Sequence, residues 1–277
     1  MPRNLVLIIF CLALWQCRQE PVEKHDTVLT TGQQAIIRDY NSTEKYLNKP
    51  ADSLEVFANS LFKRAGKQPP VYRALSQIVL GITYARQSKY QLGYKHFENA
   101  LALAKSVKND SLKARALSGI GAYYTNVGDY PKALETLLVA LGIYEQIDDV
   151  KGLVTVNGLI GIVYMQKNDP ALAKEHLLRA LEQGKNIRHK LSYLTAAHTL
   201  ANVYGISGDY AKALEVDEKA LEICDSAGQT GIKNSFLDNK ANCFLYMGKL
   251  DSAAYYFNEC LQIDMASGNP KFMADTY

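Results

Sequence analysis

The chain repeats itself every 40 residues, and that period constrains the fold more than any other feature. A small residue stands at Gly81, Gly121, Gly161, Ala201 and Ala241, with an aromatic three positions later at Tyr84, Tyr124, Tyr164, Tyr204 and Phe244. Further small series follow at Gly93, Ala133, Ala173, Ala213 and Ala253, and at Ala100, Ala140, Ala180, Ala220 and Cys260. A leucine succeeds each member of the last set: Leu101, Leu141, Leu181, Leu221 and Leu261. A fixed period of this length means one supersecondary unit copied and stacked, each copy burying its apolar face on the next. A chain of 277 residues can then grow without enlarging a single central core.

The unit is clearest from Leu117 to Leu141, LSGIGAYYTNVGDYPKALETLLVAL. Gly128-Asp129 separates two runs of helical periodicity. Gly128 suits the left-handed position after a helix, and Asp129 suits the cap of the next. In the third copy Asn168-Asp169-Pro170 does the same work, with Asn168 accepting a positive φ and Pro170 fitting the first helical position. A glycine inside a helix costs roughly 1 kcal/mol against alanine. Gly121 therefore makes sense where a partner helix leaves no room for a side chain. The spacing predicts antiparallel helices over 72–86 and 90–107, 111–126 and 130–147, 150–166 and 170–187, 190–206 and 210–227, and 230–246 and 250–267.

At these residues the chain resembles the tetratricopeptide repeat superfamily. The small residue, the aromatic three later, the Gly-Asp-Tyr/Pro turn and the two later alanines are all present, and only the late proline is missing. The resemblance implies an all-α, right-handed superhelical solenoid of antiparallel helix hairpins, here in a variety with longer helices. It covers residues 70–277 as five repeats, about 74–113, 114–153, 154–193, 194–233 and 234–273, with the start of a sixth. Two residues depart from it: Asp217 replaces a large apolar residue in the fourth repeat, and Lys240 stands where the second has Ile120. Residues 34–69 read as a degenerate capping repeat, since Phe57 aligns with Phe97 and Asn48-Lys49-Pro50 with Ser88-Lys89-Tyr90.

The first 17 residues differ in kind. A short basic start precedes an uncharged apolar stretch from Leu5 to Trp15, shorter than the roughly 20 residues a spanning helix needs. It has the proportions of a secretory leader. Cys17 follows, and the arrangement resembles the signal of bacterial lipoproteins, in which that cysteine becomes the acylated N-terminus. Gln16 departs from the small residue expected before it; an uncleaved anchor is the alternative. Residues 18–33 read as a flexible tether. The implied setting is export across the inner membrane and anchoring by lipid, facing the periplasm.

Catalytic chemistry finds no foothold. The histidines, His25, His96, His176, His189 and His198, show no zinc-type spacing. His176 beside Glu175 reads as a surface pair. Gly119-x-Gly121 lies in a helix and lacks the third glycine of a dinucleotide loop. Cys224, Cys243 and Cys260 occupy packing positions, with a Cys243–Cys260 bridge as the alternative in an oxidising compartment. The 48% hydrophobic and 21% charged composition is that of a folded domain, and a net charge of +3 without a single-sign run argues against nucleic acid. No enzyme activity, cofactor or metal is expected.

The resemblance then implies where function lies. In this superfamily the first helix of each hairpin lines a concave face that binds peptides or partner helices. The corresponding positions are Arg86, Arg115, Ser118, Asn126, Thr155, Gln166, Thr195, His198, Asn202, Asp238, Asn239, Asn242 and Tyr246. The set is rich in amides and hydroxyls, which both donate and accept and so suit an extended backbone. A solvated face without ligand is the plain alternative. The expectation is a protein- or peptide-binding scaffold, the extracytoplasmic part of a bacterial signalling protein; the alternative is a self-contained lipoprotein adaptor in envelope assembly. Contact with a membrane is expected through the N-terminal anchor alone.

Overall fold

The computed structural model describes residues 29–47, 51–186, 190–227 and 230–267. Among them twelve α-helices and no strand follow one another: α1 (Thr31–Leu47), α2 (Ala51–Ala65), α3 (Pro70–Arg86), α4 (Tyr90–Ser106), α5 (Asp110–Asn126), α6 (Tyr130–Gln146), α7 (Val150–Gln166), α8 (Pro170–Gly184), α9 (Leu191–Ile206), α10 (Tyr210–Ala227), α11 (Thr230–Tyr246) and α12 (Leu250–Ser267). The leader, Cys17 and most of the expected tether lie outside the described residues. α1 starts at Thr31, earlier than expected, because Thr30 and Gln33 form a reciprocal cap: Gln33 N donates to Thr30 Oγ1 at 3.2 Å, and Thr30 N donates to Gln33 Oε1 at 3.0 Å. α8 stops at Gly184, short of the expected 187, where Lys190 Nζ donates to the Lys185 carbonyl at 2.7 Å.

The turns follow from residue chemistry. Ser88, Gly128, Asn168, Gly208 and Gly248 all take positive φ, between 58° and 80°. After each, the next backbone N–H reaches back five residues, as Asp129 N does to the Tyr124 carbonyl at 2.9 Å. That closes the helix with a Schellman motif. The same residue then caps the following helix: Asp129 accepts from Lys132 N, Asp169 from Leu172 N and Asp209 from Lys212 N. One aspartate thus ends one helix and begins the next, and the hairpin link stays short.

Close approach between helices is set by the glycines. A Cβ on Gly121 would stand 2.5 Å from Leu137 Cγ, and one on Gly161 2.5 Å from Leu177 Cγ. On Gly81 it would stand 2.6 Å from the Phe97 ring. Leu137 and Leu177 are completely buried. Each glycine and the large residue facing it from the next helix are therefore one lock, closed once per hairpin. Buried clusters succeed each other along the chain, around Val79 and Phe97, then Leu137 and Ile160, then Leu177 and Leu200, then Ala220 and Phe236.

Each odd-numbered helix from α1 to α11 also touches the next odd-numbered helix, and among the described residues no such series joins the even-numbered ones. The odd helices therefore crowd the inside of the curve and the even ones splay on the outside. The result is a right-handed superhelical solenoid of antiparallel hairpins with the odd helices lining its concave face.

Candidate functional site

The inner face is built from the odd helices, which carry the thirteen positions named above. What their side chains do there divides them. Three are absorbed into the scaffold. Arg115 on α5 donates from Nη1 to the Tyr40 hydroxyl at 3.1 Å and from Nη2 to Asp149 Oδ2 at 3.1 Å. Asp149 in turn caps α7 through Gly152 N. Burial works against the guanidinium charge, but Tyr40, Tyr144 and Asp149 more than offset it, and its pKa stands above the ordinary value. Arg115 ties α1, α5 and α7 together rather than standing open as an anion clamp. Ser118 is buried and donates to the Ala114 carbonyl at 3.0 Å, with the Tyr144 hydroxyl at 3.4 Å. It is a packing residue, not the groove hydroxyl expected of it. Asn239 lies beside Asp217, turned into the contact between α10 and α11.

The others remain at the inner surface. Arg86, Asn126 and Gln166 end α3, α5 and α7 one period apart and are exposed. Asn126 Nδ2 donates to the Ala122 carbonyl at 2.8 Å, which leaves its Oδ1 outward. Thr155 Oγ1 pairs with Ser192 Oγ at 3.0 Å across α7 and α9. Thr195 is exposed and donates to the Leu191 carbonyl. His198 lies edge-on to Phe236 and 3.4 Å from Asn202 Nδ2, and burial holds its pKa below the usual histidine range. One period on, Asn242 Nδ2 donates to Asp238 Oδ2 at 3.1 Å. Tyr246 is 71% exposed and stacks on Tyr210 with centroids 6.0 Å apart.

The residues missed from sequence sit in the same registers. Ile206, 73% exposed, occupies the position between Gln166 and Tyr246. The rim therefore runs polar from Arg86 to Gln166 and apolar from Ile206 to Tyr246. The 40-residue step alone would have found it; its apolar type disguised it as core. The periodic tyrosines Tyr84, Tyr124, Tyr164 and Tyr204 are half-buried packing residues. Tyr84 stacks on His96 at 5.3 Å and Tyr164 on His176 at 5.7 Å. His176 is thus no surface partner of Glu175, which pairs with Arg179 at 2.8 Å; its Nδ1 meets Asn157 Oδ1 at 2.9 Å inside the hairpin. Cys224, Cys243 and Cys260 are buried thiols, and Cys243 and Cys260 are unbridged. A shallow cleft of about 490 Å³ between Lys89, Leu92, Tyr123 and Val127 lies along the turns rather than on the inner face.

Comparison with known proteins agrees with this geometry. The solenoid superposes on a Rap protein complexed with Competence and Sporulation Factor, at a TM-score of 0.73 and 14% identity over 96% of this chain and 73% of that one. It superposes on NprR in complex with its cognate peptide NprX at 0.62 and 16% identity, over 100% of this chain and 78% of the other. At such identity the likeness is one of fold. In sequence the chain is similar to the protein FLUORESCENT IN BLUE LIGHT, chloroplastic, of Arabidopsis thaliana, 26% identical over 37% of this chain and 32% of that protein. The chain spans about a third of the length of the curated relatives it matches. The tetratricopeptide repeat model matches residues 72–146 and 153–226, together more than half of the sequence. With the lock of small and large residues, the turn chemistry and the family model in agreement, the chain belongs to the tetratricopeptide repeat family.

Proposed function

We propose that this chain is a non-enzymatic scaffold that binds peptide or protein segments along its inner face, outside the cytoplasm and tethered through Cys17. The observation that carries the reading is the series of inner-face amides at Asn126, Gln166, Asn202 and Asn242, joined by Tyr246 at one end. Asn126 and Gln166 share one register and Asn202 and Asn242 another, and amides one repeat apart can meet backbone groups along an extended segment. An exposed tyrosine offers rigid contact area beside them. One solenoid of similar fold, NprR, is in complex with its cognate peptide NprX, and another, a Rap protein, is complexed with Competence and Sporulation Factor. The leader-like N-terminus supports the extracytoplasmic setting, in which a peptide-binding solenoid would serve as the sensing part of a signalling protein.

The test is capture of envelope proteins by the full chain and by two triple variants. Asn126, Asn202 and Asn242 changed together to Ala remove inner-face hydrogen-bond groups, each costing folding under about 0.5 kcal/mol but binding roughly 1–3 kcal/mol where the partner's group is left unmet. Lys132, Lys174 and Lys212 changed to Ala alter the outer, even helices. Loss of capture by the asparagine set alone supports the reading, with helicity checked by circular dichroism. Loss by the lysine set alone moves the binding surface to the convex side.

A further inference from the structure

Two polar residues break the period side by side. In the register of Phe97, Leu137 and Leu177 stands Asp217 on α10, 0% exposed. In the register of Ile120, Ile160 and Leu200 stands Lys240 on α11, also buried. They do not neutralise each other. Neither Asp217 oxygen has a hydrogen-bond partner. Lys240 Nζ engages other groups instead, 3.3 Å from Glu218 Oε1 and 4.6 Å from the centre of the Tyr256 ring on α12. Asn239 Nδ2 lies near enough to the carboxyl to favour its anion in part, but closes no hydrogen bond of full geometry. An ionised carboxylate in such a place lacks water and has only partial partners, so the packing accepts the neutral acid and resists the anion.

On balance the elements around Asp217 favour the neutral acid. From α9, the register that sets Leu137 against Gly121 presents Ala201, while His198 three residues earlier faces Phe236. From α11 come Asn239, Lys240 and Cys243; the Cys243 thiol is itself pushed up to about 11 by burial and by Asp217, and stays neutral below that. From α10 itself, Glu218 adds negative potential, and Tyr256 on α12 acts by holding Lys240 away. Burial is the largest effect, with Asn239 and Lys240 pulling partly back, and the carboxyl is raised from 3.8 to about 8.

We propose that Asp217 makes the joint between the fourth and fifth repeats responsive to pH: the protonated carboxyl lets the α11–α12 hairpin dock tightly on α10, and ionisation loosens that docking together with the last third of the inner face. On ionisation the proton leaves to solvent and the new charge is relieved by opening the α10–α11 contact to water. Asp238, Asn242 and Tyr246 ride on the hairpin that moves. The device stands whether or not the inner face binds a peptide.

The direction is fixed by linkage. The folded value lies above the unfolded one, so stability is full below the ordinary carboxyl value of 3.8 and is lost as pH rises through about 8, with no further loss above. The full chain is compared with Asp217→Asn by urea denaturation from about pH 4 to pH 9; titrations shared by the two cancel in the comparison. The folded-to-unfolded ratio of wild type relative to Asp217→Asn should fall by up to about tenfold per pH unit across that window and then level. A second neutral replacement, Asp217→Leu with Ala201→Gly, rebuilds the glycine–leucine lock and should keep a pH-independent ratio to Asp217→Asn. As pH rises, hydrogen exchange should show α11 and α12 losing more protection in wild type than in either mutant protein, while α5 to α8 match in all three. A wild-type difference that does not change with pH overturns the proposal. So does protection lost evenly along the solenoid.

Discussion

Gly121 and Gly142 are both helical glycines, yet they should answer the same mutation differently. A methyl on Gly121 arrives 2.5 Å from Leu137 Cγ and 2.6 Å from its Cδ2. Leu137 is completely buried, so it cannot swing into solvent to make room. A methyl on Gly142 meets nothing within 4 Å. Glycine to alanine within a helix gains about 1 kcal/mol from propensity at either site. Overpacking a tight contact costs about 1–3 kcal/mol. Gly142→Ala should therefore stabilise by about 1 kcal/mol, and Gly121→Ala should fall below it by the whole overpacking cost, about 1–3 kcal/mol. For a domain of this size that separates the melting temperatures by roughly 2–12 °C. Thermal melts of the two mutants and of wild type under one buffer measure it. A repeat array need not unfold as one unit, so exchange protection of α5 and α6 should locate the loss in Gly121→Ala. Equal melting temperatures for the two mutants would mean that the glycine–leucine lock does not hold the hairpin, and the account of the period would fail with it.

Two further outcomes are specific. His96 and His176 are held below the ordinary histidine value of 6.5, chiefly by burial, so the folded state takes up protons less readily than the unfolded one. Their contribution is full above that value and lost as pH falls through the depressed ones, the opposite slope to that of Asp217; melts from about pH 7.5 to 5 should show His96→Gln with His176→Gln flattening the acid limb, and an unchanged limb refutes it. At the N-terminus, a fatty-acid analogue fed to a bacterial host should label the wild-type chain and spare Cys17→Ala, and equal labelling of both rules out acylation at that cysteine.

The fold was legible because each hairpin repeats the same solution with interchangeable parts. Gly121 announced a close approach, Asp129 a cap, and Asn168 a positive φ in place of glycine, and each does that in the structure. Where reading failed, a partner had intervened that spacing does not reveal. The cap formed by Thr30 and Gln33 pulled α1 back into what composition marked as tether. Tyr164 and Asn157 drew His176 inward, away from the neighbouring glutamate that sequence adjacency favoured. Spacing along one helix says which face a residue occupies, but not whether a residue 26 or 75 positions away has claimed it, as Tyr144 claims Ser118 and Tyr40 claims Arg115.

The site was legible only as a set of registers, and the reason is physical. In a solenoid, the residues that obey the period are those that every joint requires: the glycine, the leucine that fills it, the aspartate that caps. They describe the scaffold and are silent about its partner. Individual chemistry can be written only where the period is free to vary or is broken. The rim register varies from Arg86 through Asn126 and Gln166 to Ile206 and Tyr246, because its residues are exposed and no interhelix joint dictates their type. The interior register of Phe97, Leu137, Leu177 and Phe257 turns acidic only at Asp217. The close-approach register opposite it is glycine in the first three repeats and alanine at Ala201 and Ala241. Alanine is therefore accepted opposite the Phe257 register as well as opposite Asp217, and what sets the fourth joint apart is the buried carboxyl rather than the space around it. Lys240, the nearest cation in sequence register, is engaged with Glu218 and Tyr256. That is the pattern expected where a carboxyl is kept for what its ionisation does rather than for the space it fills.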